Sequence, residues 1–431
     1  MGTGYEGIAK HAGTHGKVQT LMHHVNTQTL KQEHATQASG KATGVDRTTK
    51  EEYGAQLEEN LEDLIRRMKT FSYRPQPVRR TYIPKGNSGK LRPLGIPAYE
   101  DKLVQGVMRK CLDEIYEGKF LDCSYGFRKG RNCHQAIREV DRLVMTKKVN
   151  FVLDADIKGF FDNVNHEWLM KFLEHDIGDK NFLRYIVRFL KAGVIEDLQR
   201  YESDKGTPQG GLISPVLANV YLHYVLDLWF QVVRKELKGE AYMIRYADDF
   251  VCFFQYEHEA ASFYQKLEVR LAKFGLELAK DKSKIIRFGR YAQEHSKEGK
   301  TDCFDFLGFR IINGKGRTGA YRVVLRTNPK KLKAKKETVK EWLFLYMHEK
   351  PKLTIRTLNQ KLAGHYAYYG VSGNYPGVHN FYRYVVQTYH NVLSRRSQNG
   401  QVGWAKYTQL LEIFPILKPS IRVNLWKPAT S

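Results

Sequence analysis

Three aspartates stand beside apolar segments, and they are the residues best suited to chemistry. Asp156 closes the apolar run NFVLDAD, and Asp248 and Asp249 lie within MIRYADDFVCFF, between apolar and aromatic flanks. A carboxylate inside an apolar run is costly unless something compensates its charge. If the strand and the second segment are neighbours in one antiparallel sheet, the three carboxylates meet at one edge and need a counter-charge.

Mg²⁺ is the natural counter-charge, because it is a hard cation held by a few carboxylates together with substrate phosphates. Two Mg²⁺ ions, about 4 Å apart, would activate a 3′-hydroxyl and stabilise a leaving pyrophosphate in an in-line displacement. The three aspartates therefore suggest nucleotidyl transfer. The competing interpretation is that Asp248 and Asp249 only form a turn, as aspartates commonly do. For these two residues taken alone, the turn is the stronger interpretation.

Local patterns predict the elements that would hold these aspartates. MIRYADDFVCFF predicts a hairpin with Asp248 and Asp249 at its turn, and NFVLDADIKGFFDNV begins as a strand. RRTYIPK and KLRPLGIP predict another hairpin around GNSG, and CFDFLGFRI predicts one strand. A long helix is predicted after the loop GTPQGG. Further helices are predicted at 51–70, 100–121, 132–146, 257–274, 330–348, 354–370 and 378–394.

The charge of the chain predicts a polyanionic partner. Among 431 residues, 70 Lys and Arg face 46 Asp and Glu, which gives a net charge of +24. From Lys315 onward there are 21 Lys and Arg and 4 Asp and Glu, whereas the preceding 314 residues carry 49 and 42. This asymmetry favours a catalytic body followed by a nucleic-acid clamp over a merely solvated basic surface. No apolar stretch approaches the roughly 20 residues of a membrane span, so no membrane partner is expected.

Cysteine usage predicts a reducing compartment. The five cysteines are odd in number and include no C-x-x-C pair, which argues against a disulfide framework and against a structural zinc module. The N-terminus shows no signal-peptide pattern. The expected location is the cytoplasm, in a bacterium.

Seven ordered motifs resemble those of reverse transcriptases. YADD (246–249) looks like the family signature, DIKGFFDNVNH (156–166) like the motif of its first catalytic aspartate, and GTPQGGLISPVLANVYL (206–222) like its primer/template-positioning motif. RPLGIP (92–97), SYGFR (124–128), KSK (282–284) and FLGF (306–309) appear in the family's order. In detail the chain most resembles the group II intron reverse transcriptase/maturase family, from ATGVD at 42–46 through the C-terminal helices.

The resemblance implies an α+β fold, a right-hand polymerase with an antiparallel palm sheet. It places a polar N-terminal segment at 1–45, fingers and palm at 46–314, a helical thumb that doubles as a maturase RNA-binding domain at 315–395, and a short basic tail at 396–431. Many family members continue into a Cys/His-rich nuclease domain. No cysteine follows Cys303, so cleavage of a target strand is not expected of this chain.

The resemblance also assigns residues to the reaction. Asp156 and Asp248 would bind two Mg²⁺ ions, for which Mn²⁺ is a substitute, Asp249 would assist them, and Ile157 is grouped with these metal-binding residues. Asp156 is preferred to Asp154 as the first aspartate. An aromatic residue, Phe161, then falls five positions later, where the family places a ring that excludes a 2′-hydroxyl and so selects deoxynucleotides. The alternative for this ring is a place in the core.

Further binding residues follow from the same motifs. Gln209 would position nucleotide or template, and the neighbouring Gly210 and Gly211 would allow close backbone approach. Lys282 would act near the pyrophosphate as general acid or charge stabiliser. The triphosphate would be held by Arg92, Arg128 and Lys85. Contacts with template backbone are the alternative for all four cations. RNA-backbone contacts in the thumb are predicted for Lys330, Lys331, Lys333, Lys335 and Lys336.

The expected function is that of an RNA-directed DNA polymerase of group II intron type. Its partners would be an RNA template, a DNA primer and dNTPs, and as a maturase it would also bind structured intron RNA. One alternative is the same polymerase working with a dedicated non-coding RNA, for example in antiviral defence. An RNA-binding splicing factor without polymerase activity and an RNA-copying RNA polymerase are disfavoured by the intact aspartates and by Phe161.

Overall fold

The structure is a computed structural model, and it describes residues 5, 7–8, 16–84, 91–196, 199–201, 205–207, 210–294, 302–316, 318–396 and 401–426. The chain divides into two compact units. The first unit contains residues 1–132, 155–252 and 258–284. The second unit contains residues 133–154, 253–257 and 285–431.

The described chain contains both helices and strands, with three consecutive strands and then four consecutive helices towards its C-terminal end, which confirms the α+β class. The helices are α1 (Thr27–Thr36), α2 (Lys50–Ala55), α3 (Leu57–Lys69), α4 (Tyr99–Tyr116), α5 (Cys133–Thr146), α6 (Phe160–Asn163), α7 (His166–Asp176), α8 (Lys180–Leu190), α9 (Ser214–Leu222), α10 (Leu228–Glu236), α11 (Glu257–Lys273), α12 (Arg290–Glu294), α13 (Pro329–Leu345), α14 (Pro351–Tyr369), α15 (Tyr375–Leu393) and α16 (Trp404–Ile413). The strands are β1 (Val78–Pro84), β2 (Leu91–Ile96), β3 (Phe151–Asp156), β4 (Val194–Glu196), β5 (Gln199–Tyr201), β6 (Ala241–Tyr246), β7 (Asp249–Phe254), β8 (Lys284–Arg287), β9 (Cys303–Phe306), β10 (Phe309–Lys315) and β11 (Tyr321–Thr327).

The first unit begins with helices and a sheet of order β2-β1-β4-β5. The predicted hairpin is confirmed, because β1 and β2 pair antiparallel from Arg79 opposite Ile96 to Pro84 opposite Leu91. One expectation for this region was wrong: the helix predicted at 51–70 is broken at Gln56 into α2 and α3. The polar N-terminal segment contains α1, which Asn26 and Thr29 cap reciprocally.

A continuous helical segment runs from Ser214 to Glu236 and forms the core of the first unit. Between α9 and α10 it contains a π-helical turn, His223–Asp227. Its length, and the mean hydropathy of 1.3 of its most apolar 18-residue window, would also suit a membrane span, contrary to the sequence expectation. However, 72% of that window is buried within the protein. A mostly buried apolar helix is typical of a protein core.

A third group of strands has the order β6-β7-β3-β8. The predicted hairpin is confirmed as β6 and β7, but its two-residue turn consists of Ala247 and Asp248, whereas Asp249 already opens β7. From Phe250 to Phe254 the side chains of β7 are fully buried. This burial fixes the strand that follows the turn, so the turn projects from a rigid element.

The second unit contains the sheet β11-β10-β9 and the C-terminal helices. CFDFLGFRI forms two strands rather than one, because the chain reverses at Leu307 and Gly308, both with positive φ, and Phe306 pairs with Phe309. The predicted helices at 330–348, 354–370 and 378–394 are confirmed as α13, α14 and α15. Their shared core is fully buried and includes Leu343, Leu358, Leu362, Phe381 and Val385.

Candidate active site

The β6–β7 turn presents two partly exposed carboxylates at the end of a buried hairpin. Asp248 is the second residue of the turn and Asp249 the first residue of β7, and both are half-buried. Strand β7 is the neighbour of β3 in the sheet order, and β3 ends at Asp156. The neighbouring strands assumed in the sequence analysis are therefore present, and they carry all three aspartates.

Asp156 is held by the loop that follows α11. Its carbonyl oxygen accepts a hydrogen bond from the Ala279 amide at 2.8 Å, and its amide donates to Ser283 Oγ at 3.3 Å. Lys282 Nζ donates to Asp156 Oδ2 at 2.7 Å. This hydrogen bond and the charge of Asp156 raise the pKa of Lys282. Lys282 therefore lies beside the first aspartate as a cation, with 61% of its side chain exposed.

Phe161, five residues after Asp156, stands apart from the core. The ring of Phe160 is 2% exposed and packs on Tyr221, whereas Phe161 is only half-buried and meets the edge of Phe160 at a centroid distance of 5.3 Å. The carbonyl oxygen of Phe161 accepts from the Thr207 amide at 2.8 Å. Phe160 thus fills the core position, and Phe161 is left at the surface of the first unit, as a ring that contacts a ligand requires.

The loop GTPQGG is anchored on backbone contacts. A Cβ atom on Gly210 would lie 2.5 Å from the Gly95 carbonyl oxygen, and the φ of Gly210 is +116°, so glycine is required there. The close approach predicted for this glycine is therefore made to β2 of the chain itself. Gln209 and Lys85, both predicted to bind the nucleotide, lie outside the described residues.

Arg128 is a correction to the predicted nucleotide site. Its guanidinium is buried, and every N–H is used within the fold. Nε and Nη2 both donate to the Glu117 carboxylate, and Nη2 also donates to the Glu117 carbonyl oxygen. Nη1 donates to the carbonyl oxygens of Leu121 and Ser124. An arginine with five occupied donors has none left for a triphosphate. Arg92, also predicted to hold the triphosphate, is exposed on β2. Ile157, which was grouped with the metal-binding residues, is buried and forms a β-bridge with Leu278.

Replacing Arg128 by methionine is expected to lower the free energy of unfolding by about 2–3 kcal/mol. The substitution removes the hydrogen bonds from Arg128 to three backbone carbonyls, those of Glu117, Leu121 and Ser124, each worth about 1 kcal/mol, while the half-exposed Glu117 carboxylate regains water. Urea denaturation measures this loss. In the folded variant the KM for dNTPs should stay within about threefold of the wild-type value. A KM for dNTPs that rises tenfold or more would show that Arg128 does bind the nucleotide.

The predicted RNA-binding lysines lie on the first turns of α13. Asn328 caps this helix by accepting from the Lys331 amide at 3.1 Å, and Pro329 follows at its first position. One of the five predicted lysines, Lys336, is half-buried, and its Nζ donates to Asn380 Oδ1 at 2.6 Å at the surface. The other four are exposed: Lys330, Lys331, Lys333 and Lys335.

The donor set at the turn suits Mg²⁺ in chemical type. Asp156, Asp248 and Asp249 offer only carboxylate oxygens, and Mg²⁺ takes one or two carboxylates together with substrate phosphates rather than a complete protein cage. Among the described residues no group of three or more His, Cys, Asp or Glu side chains forms a ready ligand cluster. The three carboxylates fit Mg²⁺ by the chemical type of their donor atoms.

A buried network behind the turn was not foreseen from the sequence. Arg245, two residues before the turn, is fully buried and paired with Asp227 of the π-helical turn. Burial lowers the pKa of Arg245, but the Asp227 carboxylate outweighs burial and raises it, so the arginine stays charged. The sequence did contain one signal for this buried pair. Arg245 interrupts the apolar run MIRY, and Asp227 interrupts the apolar run YVLDLWF.

Comparison with known families decides the assignment. The model of the family described as "Reverse transcriptase (RNA-dependent DNA polymerase)" matches residues 83–311, which include all three aspartates and Phe161. The chain belongs to the reverse transcriptase family. This membership also confirms the predicted right-hand polymerase fold class. All seven motifs that resembled this family lie within the matched residues.

The curated relatives of this reverse transcriptase include an intron-encoded protein. The group II intron-encoded protein LtrA of Lactococcus lactis subsp. cremoris is 37% identical over 263 residues, which are 57% of this chain and 43% of LtrA. Protein YkfC of Escherichia coli (strain K12) is 36% identical over 314 residues, which are 65% of this chain and 78% of YkfC. The predicted resemblance to the group II intron family is confirmed, although the chain spans less than half of LtrA.

Among solved structures, the telomerase of Candida albicans matches this reverse transcriptase with a TM-score of 0.45 and 14% identity. The match covers 84% of this chain and 65% of the telomerase chain. We draw nothing further from a similarity of this size.

Proposed function

We propose that the chain is an active RNA-directed DNA polymerase that adds dNTPs to a primer 3′-hydroxyl on an RNA template. The observation that carries the proposal is the placement of Asp156, Asp248 and Asp249 at the ends of neighbouring strands within a reverse transcriptase domain. Mg²⁺ bound by these carboxylates would supply Lewis-acid activation of the hydroxyl and charge stabilisation for pyrophosphate. Mn²⁺, a similar oxygen-seeking cation, is the expected substitute.

The chain's own residues orient the reactants around that site. Lys282 donates a hydrogen bond to Asp156 and keeps most of its side chain exposed, where it can meet a phosphate oxygen. Phe161 is half-buried at the surface of the first unit, five residues after Asp156, and its ring would exclude a sugar that carries a 2′-hydroxyl. Arg92 adds an exposed guanidinium on β2, suited to a phosphate of nucleotide or template. Together these groups position an incoming dNTP before the bond is made.

The C-terminal helices are proposed to bind RNA. Four exposed lysines fall within six residues at the start of α13, from Lys330 to Lys335, and charge of this density favours phosphate backbone over a protein partner. The relative LtrA is a group II intron-encoded protein. By similarity to it, the RNA proposed here is a structured group II intron transcript. The alternative partner, a dedicated non-coding RNA, would use the same lysines.

Removing the four exposed lysines of α13 is expected to flatten the salt dependence of RNA binding. Each lysine that neutralises a phosphate contributes about 0.7–0.9 to the slope of log Kd against log salt concentration, so the quadruple glutamine variant should lose about 3 units of slope. Fluorescence anisotropy with a labelled RNA hairpin measures the slope. The matched control replaces four exposed lysines on or beside α10 and α11: Lys235, Lys238, Lys266 and Lys273. An equal slope in the two variants would contradict this surface.

Sequencing of the RNA that co-purifies with the protein identifies the partner. Enrichment of one transcript with intron domains supports the maturase role. Enrichment of a short non-intron RNA supports the alternative. A protein that carries only bulk cellular RNA would contradict the proposal of a dedicated RNA partner, and would leave the polymerase proposal to be decided by primer extension.

A further inference from the structure

A fully buried ion pair adjoins the catalytic turn. Arg245 and Asp227 have no exposed side-chain surface. Nε of Arg245 donates to Asp227 Oδ1 at 2.7 Å, and Nη2 donates to Oδ2 at 2.5 Å. Two charges removed from water cost several kcal/mol each, and an apolar pair of similar volume is often equally stable. Stability alone therefore does not explain why the chain keeps this pair.

The remaining nitrogen of Arg245 shows what the pair supports. Nη1 donates to the carbonyl oxygen of Ala247 at 3.0 Å and to Asn219 Oδ1 at 2.9 Å. Ala247 is the first turn residue, and its φ of 59° lies in the left-handed region, which is unfavourable for alanine. A charged donor on its carbonyl stabilises this conformation, and Asp248 is the next residue. The position of the catalytic carboxylate thus depends directly on a bond from Arg245.

A second loop braces the same turn. Asn219 Nδ2 donates to the carbonyl of Gly126 in SYGFR at 2.7 Å. Gly126 lies so close to the turn that a Cβ atom on it would be 2.4 Å from the Ala247 nitrogen. The backbone of this loop also pairs with β6, since Tyr125 donates to the Arg245 carbonyl at 2.8 Å. The turn therefore rests on the long helix and on SYGFR, with Arg245 between them.

The π-helical turn explains how the helix supplies the carboxylate. Asp227 is its last residue, and α9, which carries Asn219, lies on the other side of it. A π turn accommodates one extra residue and rotates the following helix relative to the preceding one; such turns are frequent at functional sites. Because of this rotation, Asn219 and Asp227 both reach the same guanidinium although they are eight positions apart.

We infer that Arg245, Asp227 and Asn219 are positioning residues, which hold the Ala247 carbonyl and thereby fix Asp248 where it takes the metal. The inference rests on the proposed polymerase function, and it goes beyond that proposal by naming the device that sets the geometry of the turn. Arg245 itself is fully buried, so it acts through the turn and not on the nucleotide.

The test removes both buried charges together while keeping their volume, as Arg245→Met/Asp227→Leu. The thermal midpoint should remain within a few degrees of the wild-type value. The kcat for primer extension should fall at least about tenfold while the KM for dNTP changes less than about threefold, because the error lies in the catalytic carboxylate and not in nucleotide binding. Titration of Mn²⁺, followed by electron paramagnetic resonance without nucleic acid, should show at least about threefold weaker binding.

The matched control is a second ion pair of the first unit, Lys119 and Asp176, whose Nζ–Oδ1 distance is 2.5 Å and whose carboxylate is buried. Lys119→Met/Asp176→Leu should leave kcat and Mn²⁺ affinity within about twofold. If the double variant of the network does not fold, Asn219→Ala, which keeps the ion pair, serves instead and should lower kcat at least about threefold.

The outcomes separate this inference from the function it rests on. A folded network variant with wild-type kcat and Mn²⁺ affinity overturns the inference. A wild-type protein that binds Mn²⁺ through Asp248 but extends no primer overturns the polymerase proposal, and the Mn²⁺ titration still decides the network. Mn²⁺ binding that Asp248→Ala leaves unchanged overturns both.

Discussion

Asp248→Ala is expected to reduce primer extension on an RNA template at least about a thousandfold. Metal-assisted stabilisation of phosphoryl transfer is worth several kcal/mol, and about 4 kcal/mol corresponds to a factor of a thousand. The substitution should cost little stability, because Asp248 lies half-exposed in a two-residue turn whose flanking strands are buried independently. The loss should appear in kcat, while affinity for the template–primer stays within about twofold.

The measurement is single-nucleotide extension of a DNA primer on an RNA template with Mg²⁺ present. Asp122→Ala is the control, because the Asp122 side chain is fully exposed and paired only with Arg131 at the surface. Asp122→Ala should keep wild-type activity. If the Asp248→Ala variant extends the primer at more than about a tenth of the wild-type rate, Asp248 is not a catalytic residue. Template–primer affinity that falls together with activity would point instead to general damage.

Much of the region around the site follows from local sequence pattern. Strands β3, β6 and β7 are short apolar runs rich in aromatic and β-branched residues, and the helices of the C-terminal unit have regular apolar spacing, so both are visible without tertiary information. Motif order then brings Asp156 and the YADD turn together. The residues of the turn itself were harder to predict, because aspartate suits either a turn or the start of a strand. Only the pairing of β6 with β7 assigns Asp249 to the strand.

The partners of buried polar side chains were beyond the reach of local pattern. Arg128 was assigned to the triphosphate from its motif and because arginine suits phosphate contacts, yet the carbonyls of Leu121 and Ser124 and the side chain of Glu117 enclose it. Arg245 and Asp227 were visible separately as charges within apolar runs. Their pairing required the π-helical turn, which no residue pattern in the helix announces. Buried polar partners therefore need tertiary structure, whereas the strands that present the carboxylates do not.

Phe161→Ala is expected to lower the preference for dNTP over NTP about a hundredfold. An apolar pocket discriminates against one added hydroxyl by about that factor. Phe161 is the half-exposed member of the pair with Phe160, and its backbone is fixed by the Thr207 amide, so removal of the ring opens space without moving the chain. The cost in unfolding free energy should be only about 1 kcal/mol, the value of the lost ring contact.

The ratio of kcat/KM for dCTP and CTP on one RNA template measures this preference. Phe161→Tyr keeps the bulk of the ring and should keep the ratio. Phe160→Ala is the opposite control, because it empties a core position and should cost about 3–5 kcal/mol of stability while the ratio stays unchanged in the folded fraction. A Phe161→Ala protein with wild-type discrimination would show that another group excludes the 2′-hydroxyl. A loss of discrimination in Phe160→Ala as well would show that the core beneath the ring, and not the ring alone, sets the choice of sugar.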